Sequence, residues 1–453
     1  MKRRFISLRD GFLRLTHTGM IMTGFFAIIM VGTLLLMLPI ASRDGNWTSF
    51  VNAVFTATSA TCVTGLVIAD TYQKWTLFGQ LVIITLIQIG GIGFMTIGVY
   101  IATLLKRKIG LRNRETLHES VSSIEVGGVV RLTKKIIKGT FIIEAIGALL
   151  LAITFIPERG ILRGLYYGLF HSISAFCNAG FDLMGDIEAY TSLVPYKGDF
   201  IVNTVVMFLI IIGGIGFIVW DDILRNKHHF KKYMLHTKIV ITITAILLLG
   251  GAILFYLLEM NNLMVGLTMP EQIFASLFSS VTPRTAGFNT IDTAGLTNAS
   301  KMLTMLFMFI GGSPGSTAGG VKTTTLLVLL MFAWGTIRNT QSADIYGRRL
   351  EDEVLRKAVS IVLINFCLAT VATMIIFATQ DFKFEEVLFE ALSAIGTVGM
   401  TTGITRDLEP LSKILITMLM YFGRVGSLSF AIAFGQKKVV APIKQPTEKI
   451  VVG

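Results

Sequence analysis

Four stretches decide the fold. They are Phe55-Thr-Ala-Thr-Ser59-Ala-Thr-Cys62-Val63-Thr64-Gly65, Phe170-His-Ser-Ile-Ser174-Ala-Phe-Cys177-Asn178-Ala179-Gly180, Leu277-Phe-Ser-Ser-Val281-Thr-Pro-Arg284-Thr285-Ala286-Gly287 and Phe389-Glu-Ala-Leu-Ser393-Ala-Ile-Gly396-Thr397-Val398-Gly399. Each has a large apolar residue ten positions before its final Gly, and three have a Ser six before it. Their final Gly residues are 115, 107 and 112 positions apart. Self-similarity at a fixed period marks an internal repeat. The downstream segments repeat as well. Gly90-Gly91-Ile-Gly93-Phe94 and Gly213-Gly214-Ile-Gly216-Phe217 are one string, and Gly311-Gly312 and Gly423-Arg424 fall at the matching depth.

Around these stretches lie eight long apolar segments: 18–40, 76–105, 136–156, 199–220, 238–258, 302–336, 358–379 and 411–435. Each approaches the ~20 residues that span a bilayer. Between the members of each pair sits a shorter, half-polar segment, at 49–62, 163–177, 271–283 and 384–396. These are too short to cross a membrane and read as re-entrant helices shielded by protein. The expected fold class is therefore an all-α polytopic membrane protein. It has four helix–pore-loop–helix repeats of one orientation around a pseudo-fourfold pore. The expected limits are 1–110, 111–230, 231–345 (with a broken second helix, its intramembrane loop at 311–325) and 346–453 with a cytoplasmic tail.

Composition agrees. Of 453 residues, 53% are hydrophobic and 15% charged, and the mean hydropathy is +0.70. Soluble chains carry about 25% charged residues, which excludes an ordinary soluble enzyme. Three cysteines, Cys62, Cys177 and Cys367, are too few for a disulfide framework. The basic N-terminus and first apolar run lack a small-residue cleavage signature, so this run reads as a retained helix.

Lys and Arg are unevenly placed. The N-terminus, 106–138, 225–238, 338–357 and the tail after Gln436 hold 28 of them; the connections within each pair hold 10. The positive-inside rule puts both termini in the cytoplasm and all four re-entrant segments outside. The +12 net charge is then a topology signal, not a nucleic-acid surface.

Four such repeats bring four Gly turns together on one axis. Gly tolerates positive φ, so carbonyls on both sides of the turn can point inward. A carbonyl ring replaces the hydration shell of a K⁺-sized cation, and the negative helix C-termini favour it further. No Asp or Glu ring stands at these positions.

These turns resemble the pore loops of the Trk/Ktr/HKT potassium-transporter superfamily over essentially the whole chain, and most resemble the bacterial Ktr membrane subunit. The resemblance implies a K⁺ filter built from Val63, Thr64, Gly65, Asn178, Ala179, Gly180, Thr285, Ala286, Gly287, Thr397, Val398 and Gly399. Gly at all four final positions points to K⁺ as the transported ion, with Na⁺ as a candidate co-ion. Cys62 and Cys177, at one place in two loops, read as packing behind the filter, with redox or heavy-metal sensitivity as the alternative reading. The resemblance further implies a homodimer in a bacterial plasma membrane. Its partner would be a cytosolic octameric RCK (KTN) ring that binds ATP/ADP or NAD(H).

Segment 302–336 is too long for one span. Its centre reads Gly311-Gly312-Ser313-Pro314-Gly315-Ser316-Thr317-Ala318-Gly319-Gly320-Val321-Lys322-Thr323-Thr324-Thr325. Pro and clustered Gly break a helix, and polar backbone at membrane depth must line water or protein. By resemblance, Gly311 to Gly320 with Lys322 and Arg424 form a gate beneath the filter. The same stretch satisfies G-x-S-x-G and nearly a P-loop. The first needs a preceding strand, and in the second Val321 separates Gly320 from Lys322. His171 reads as a hydrogen-bonded structural residue. For Glu144, a buried partner and snorkelling both stay open. Two rival functions remain, a coupled secondary carrier and an intramembrane hydrolase. Carriers show inverted or paired repeats, and the hydrolase lacks a partnered His; neither fits four repeats of one orientation. The chain is expected not to be an enzyme.

Overall fold

The computed structural model describes residues 17–104, 129–338, 344–350 and 352–426. The basic termini and most of 106–138 lie outside the described residues. Helices dominate the rest, apart from a two-residue hairpin that pairs Asp344–Ile345 with Arg348–Arg349.

The helices fall into four units of like order. In the first, the long helix His17–Met37 precedes the short helix Phe50–Thr61, the turn at Gly65, and Leu77–Ile92 with Phe94–Leu104. The second has Val129–Arg159, Ile161–Phe176, the turn at Gly180, and Phe200–Gly214 with Phe217–Asn226. The third has Leu235–Glu259, Met269–Val281, the turn at Gly287, and Asn298–Phe309 with Thr323–Ile337. The fourth has Asp352–Thr379, Phe384–Gly396, the turn at Gly399, and Pro410–Val425. Local signals start these helices. Asp199 caps Phe200–Gly214 by accepting from Val202 N–H, and Asp70 caps a single helical turn, Thr71–Lys74, by accepting from Gln73 N–H. Thr268 and Glu271 form a reciprocal box, with Thr268 N–H donating to Glu271 Oε2 at 2.8 Å.

Each short helix packs on the long helix before it. The downstream helix of each unit then packs on the short helix of the next unit. Leu77–Ile92 meets Ile161–Phe176, Phe200–Gly214 meets Met269–Val281, and Asn298–Phe309 meets Phe384–Gly396. Pro410–Val425 closes the circle on Phe50–Thr61. The apolar residue ten before the Gly explains part of this. Phe55, Phe170 and Phe389 are fully buried. Truncating such a residue to Ala typically costs about 3–5 kcal/mol. In the third unit Phe278 is buried instead, and Leu277 is half-buried.

Polarity is inverted relative to a soluble bundle. Phe26, Leu34, Phe141, Leu149, Leu249, Ile253, Phe366 and Met374 are exposed on the long helices, whereas Thr58, Ser59, Thr61 and Thr64 are buried. Among the described residues four helices are long and apolar enough to cross a membrane, and two bent pairs could each add one.

Three expectations need correction. Segments 76–105 and 199–220, expected as one helix each, turn by 88° and 97°. The cause is the third Gly of the shared string: Gly93 and Gly216 have φ of +88° and +98°. The loop expected at 311–325 ends earlier, because Thr323 already begins a helix, Thr323–Ile337. The last segment, read to 435, ends its helix at Val425, with Gly426 at φ +98°; 427–435 lies outside the described residues.

Candidate functional site

The four Gly turns meet in a closed ring. A Cβ on Gly65 would lie 2.5 Å from the carbonyl oxygen of Ala179, one on Gly180 2.7 Å from that of Ala286, and one on Gly287 2.5 Å from that of Val398. One on Gly399 would fall closer still to the carbonyl oxygen of Thr64. Each turn thus abuts the next, and the fourth abuts the first.

Backbone conformation repeats in all four. Gly65, Gly180, Gly287 and Gly399 have φ of +95°, +68°, +82° and +88°. So do the residues two before them: Val63 at +57°, Asn178 at +59°, Thr285 at +76° and Thr397 at +51°. The sequence signalled only the glycines. Non-Gly residues in this region cost of order 1–3 kcal/mol and persist where the surroundings over-determine them. Here the N–H groups are tied backward. Those of Thr64, Ala179 and Val398 donate to Ser59, Ser174 and Ser393 carbonyls at 2.8–2.9 Å, and that of Ala286 donates to Thr282. The Ser six before three of the Gly residues adds a tie, and Thr282 takes that part in the third unit. Ser59 and Ser393 hydroxyls accept from Gly65 and Gly399 N–H at 3.1 Å. Ser174 donates to Phe181 O at 2.7 Å, and Thr282 does the same for Phe288. With the N–H groups drawn outward, Thr64, Ala179, Ala286 and Val398 leave their carbonyls at the ring. Sideways, the Asn178 amide pairs with the Thr285 hydroxyl at 3.1 Å.

The downstream Gly string fits beneath the short helices. A Cβ on Gly90, Gly213 or Gly423 would overlap the carbonyl of Thr61, Phe176 or Ile395 respectively. Cys62 and Cys177 are fully buried there. Cys177 lies against Gly91 and 3.9 Å from a Glu144 carboxylate oxygen. Glu144 is 2% exposed and accepts from Gln88 Nε2 at 3.0 and 2.9 Å. The alternatives resolve to a buried partner, and snorkelling is overturned. Arg284 is also buried, donating to Thr244 Oγ1 at 3.3 Å.

On the side of the ring where the short helices end, loop 310–322 crosses underneath. A Cβ on Gly319 would overlap Thr397, and one on Gly320 would lie 3.0 Å from the Gly396 carbonyl. Every neighbouring unit holds the loop. Ser313 N–H donates to Gly214 O at 3.0 Å, Thr317 N–H to Gly213 O at 3.2 Å and Gly320 N–H to Gly423 O at 3.2 Å. Phe217 N–H donates to Gly315 O at 2.8 Å. Arg424 donates to Thr317 O and, from its other terminal nitrogen, to Gly90 O and Gly91 O. Gly311 N–H pairs with Val321 O, and Thr323 N–H with Gly312 O. Ser316 Oγ donates to Ser313 O, and Lys322 Nζ to Ala318 O at 2.6 Å. Pro314 turns the loop next to Gly216. Ser313 follows a helix, not a strand, and its hydroxyl pairs with Thr323 Oγ1 at 3.2 Å, so the hydrolase-like string lacks its context.

Beyond the ring, past the Gly residues, opens a cavity of about 150 Å³ lined by all four of them. Asp70, Asp182, Asp292 and Arg406 also line it. Asp70 accepts from Gln73 and Tyr190 N–H, and the Arg406 guanidinium stacks 3.8 Å from the Tyr190 ring centre. Burial, with Asp70 and Asp186 nearby, pushes the Asp182 carboxyl up to about 7 against the pull of Met184 N–H. No motif in the sequence marks Asp70, Asp182 or Arg406 for this cavity, because they come from separate connections far apart in the chain.

The sequence profile of the TrkH family, described as "Cation transport protein", matches residues 12–441. The chain is 42% identical over 447 residues to the Potassium/sodium uptake protein NtpJ of Enterococcus hirae, which spans 97% of this chain and 98% of that protein. It is 39% identical over 443 residues to the Ktr system potassium uptake protein B of Bacillus subtilis, at 97% and 98% coverage. Among solved structures, the potassium transporter TrkH from Vibrio parahaemolyticus matches with a TM-score of 0.68 at 18% identity, covering 91% of this chain and 85% of that one. That likeness is one of fold, that of a mostly helical polytopic membrane protein.

Proposed function

The chain belongs to the TrkH family of cation transport proteins, and from that premise we propose that it takes up potassium ions through the ring of Gly turns. The observation that carries the reading is the cyclic closure of four turns with paired positive φ. In this reading the four units are same-orientation repeats about one axis. Thr64, Ala179, Ala286 and Val398 present main-chain oxygens to the ion, as a carbonyl filter does. No side-chain charge is required at the ring, and the short helices end with their negative poles nearby. The names of the relatives, potassium and potassium/sodium uptake proteins, support K⁺ as the cargo and keep Na⁺ as a co-ion.

Loop 310–322 is the gate of this reading. It lies under the ring, in the ion's way, and is held by bonds that can be exchanged. In this reading both termini and the loop lie on the cytoplasmic side and the acidic cavity outside, which the excess of Lys and Arg in one set of connections supports. A homodimer and a cytosolic nucleotide-binding RCK ring complete the proposal. They rest on the likeness to Ktr proteins and on the basic cytoplasmic connections.

The test is rescue of a K⁺-uptake-deficient cell, followed by ⁸⁶Rb⁺ uptake with and without competing Na⁺. Uptake that K⁺ blocks and Na⁺ does not supports the reading. A folded, inserted protein that neither rescues nor takes up ⁸⁶Rb⁺ overturns it. Co-purification with an RCK-type protein tests the partner separately.

A further inference from the structure

The position nine residues before each ring glycine holds Thr56, His171, Phe278 and Glu390 in turn. None of their side-chain hydrogen bonds goes to the ring. In the second and fourth units, however, the side chain reaches past the turn and holds the chain that leaves it. His171 is fully buried. Its Nε2 accepts from Leu183 N–H at 3.3 Å, and its Nδ1 faces Tyr167 O at 2.8 Å. An amide N–H can only donate and a carbonyl can only accept. The ring is therefore neutral, with its proton on Nδ1. Glu390 is fully buried. Its Oε2 accepts from Thr401 Oγ1 at 2.8 Å, and its Oε1 accepts from Thr405 Oγ1. Thr401 Oγ1 in turn accepts from Gly403 N–H at 3.0 Å.

In the other two units this tie is missing. The Thr56 hydroxyl donates within its own helix, to Asn52 O at 3.0 Å, and Phe278 offers no polar atom. The exit strands of units two and four are thus held from behind, and those of units one and three are not held in this way.

We propose that His171 and Glu390 are positioning residues for ion selection: they hold the exit strands at Leu183 and at Thr401 and Thr405, and so fix the spacing of ring carbonyls with which they make no hydrogen bond. The ring's preference then depends on two side chains outside it. The proposal rests on the carbonyl-filter reading above.

The test uses purified full-length protein in liposomes, reading ⁸⁶Rb⁺ against ²²Na⁺ uptake as a ratio. Glu390→Leu and His171→Phe keep bulk and remove the ties; each is expected to lower the ratio about tenfold, the effect of ~1.4 kcal/mol. Glu390→Gln, which keeps an acceptor, is expected to restore most of it. Thr56→Val, which loses a hydroxyl at the same repeat position without losing a tie, is expected to leave the ratio unchanged. Should Glu390→Leu fail to fold, Thr401→Val with Thr405→Val cuts the same link from the other side. Gly65→Ser is run in parallel. If it alters the ratio while the tie-cutting variants do not, the positioning role is wrong and the filter stands. If Gly65→Ser also leaves the ratio unchanged, the filter reading falls, and this proposal with it.

Discussion

Replacing Arg424 with Ala removes a guanidinium that joins three units. It donates to Thr317 O in loop 310–322 and to Gly90 O and Gly91 O in the first unit. Only the Thr317 bond holds the loop; the other two fix the side chain that makes it. Hydrogen bonds to a charged group contribute about 1.5–3 kcal/mol, a factor of roughly 10–150 in an equilibrium. The loop keeps its ties to Gly213, Gly214 and Gly423, so the protein should stay folded with the loop loosened. Flux of ⁸⁶Rb⁺ into liposomes, without any partner, should rise toward that factor. The Rb⁺/Na⁺ ratio should change little, because the ring lies beyond the loop. Loss of a positive charge would also raise cation flux, and Arg424→Lys separates the two effects. Lysine keeps the charge but cannot bridge both sites with a planar fork, so it should behave closer to Ala than to Arg. A folded Arg424→Ala protein with unchanged or abolished flux would refute the gate assignment. An Arg424→Lys protein with wild-type flux would show that charge, not linkage, matters.

Four other outcomes are expected. Gly65→Ser places a Cβ 2.5 Å from Ala179 O at φ +95°, at a cost of about 1–3 kcal/mol in backbone strain alone; K⁺ over Na⁺ preference should fall in competition uptake. Gly90→Ala should lower the melting temperature of detergent-solubilised protein because its Cβ overlaps Thr61 O, whereas Gly98→Ala, with open space around it, should not. Single cysteines at 46 and 298 should react with an impermeant thiol reagent on intact cells and one at 229 should not; the reverse pattern overturns the orientation. Asp182, raised to about 7, is neutral below that pH and charged above it. Uptake at limiting K⁺ should therefore rise between pH 6 and 8 by about fivefold or more, since one charge acts with ~1 kcal/mol in water and more strongly where it is partly withdrawn from it. Asp182→Asn should abolish the rise.

The sequence shows where the chain repeats better than how it bends. The short helices Phe50–Thr61 and Phe384–Gly396 stand close to their expected limits because a polar segment between two apolar runs is a strong contrast. The bends at Gly93 and Gly216 left no such contrast. Each sits inside an unbroken apolar run, and a helical Gly looks the same as a hinge Gly until φ is known. Positive φ at Val63 and Thr397 was hidden for a related reason. Only the surrounding hydrogen bonds impose it, and those come from residues four to six positions back. The Glu390 tie spans 11 and 15 residues across the turn, beyond any helical spacing. Arg424 was visible as a lone charge in an apolar run, but its three acceptors lie about 107 and 334 positions away, where spacing carries no information.

Joining four units in one chain has a consequence for how such a protein can change over generations. In an assembly of four identical chains, every substitution arrives in quadruplicate, and an error at the centre is imposed four times. Among the described residues only the third unit carries the long loop, Arg424 comes from the fourth, and only the second and fourth hold the segment after the turn from the position nine before the ring Gly. Each quarter can drift alone while main-chain atoms keep the centre in common. Specialisation can therefore proceed one quadrant at a time, with three unaltered quadrants still holding the shape.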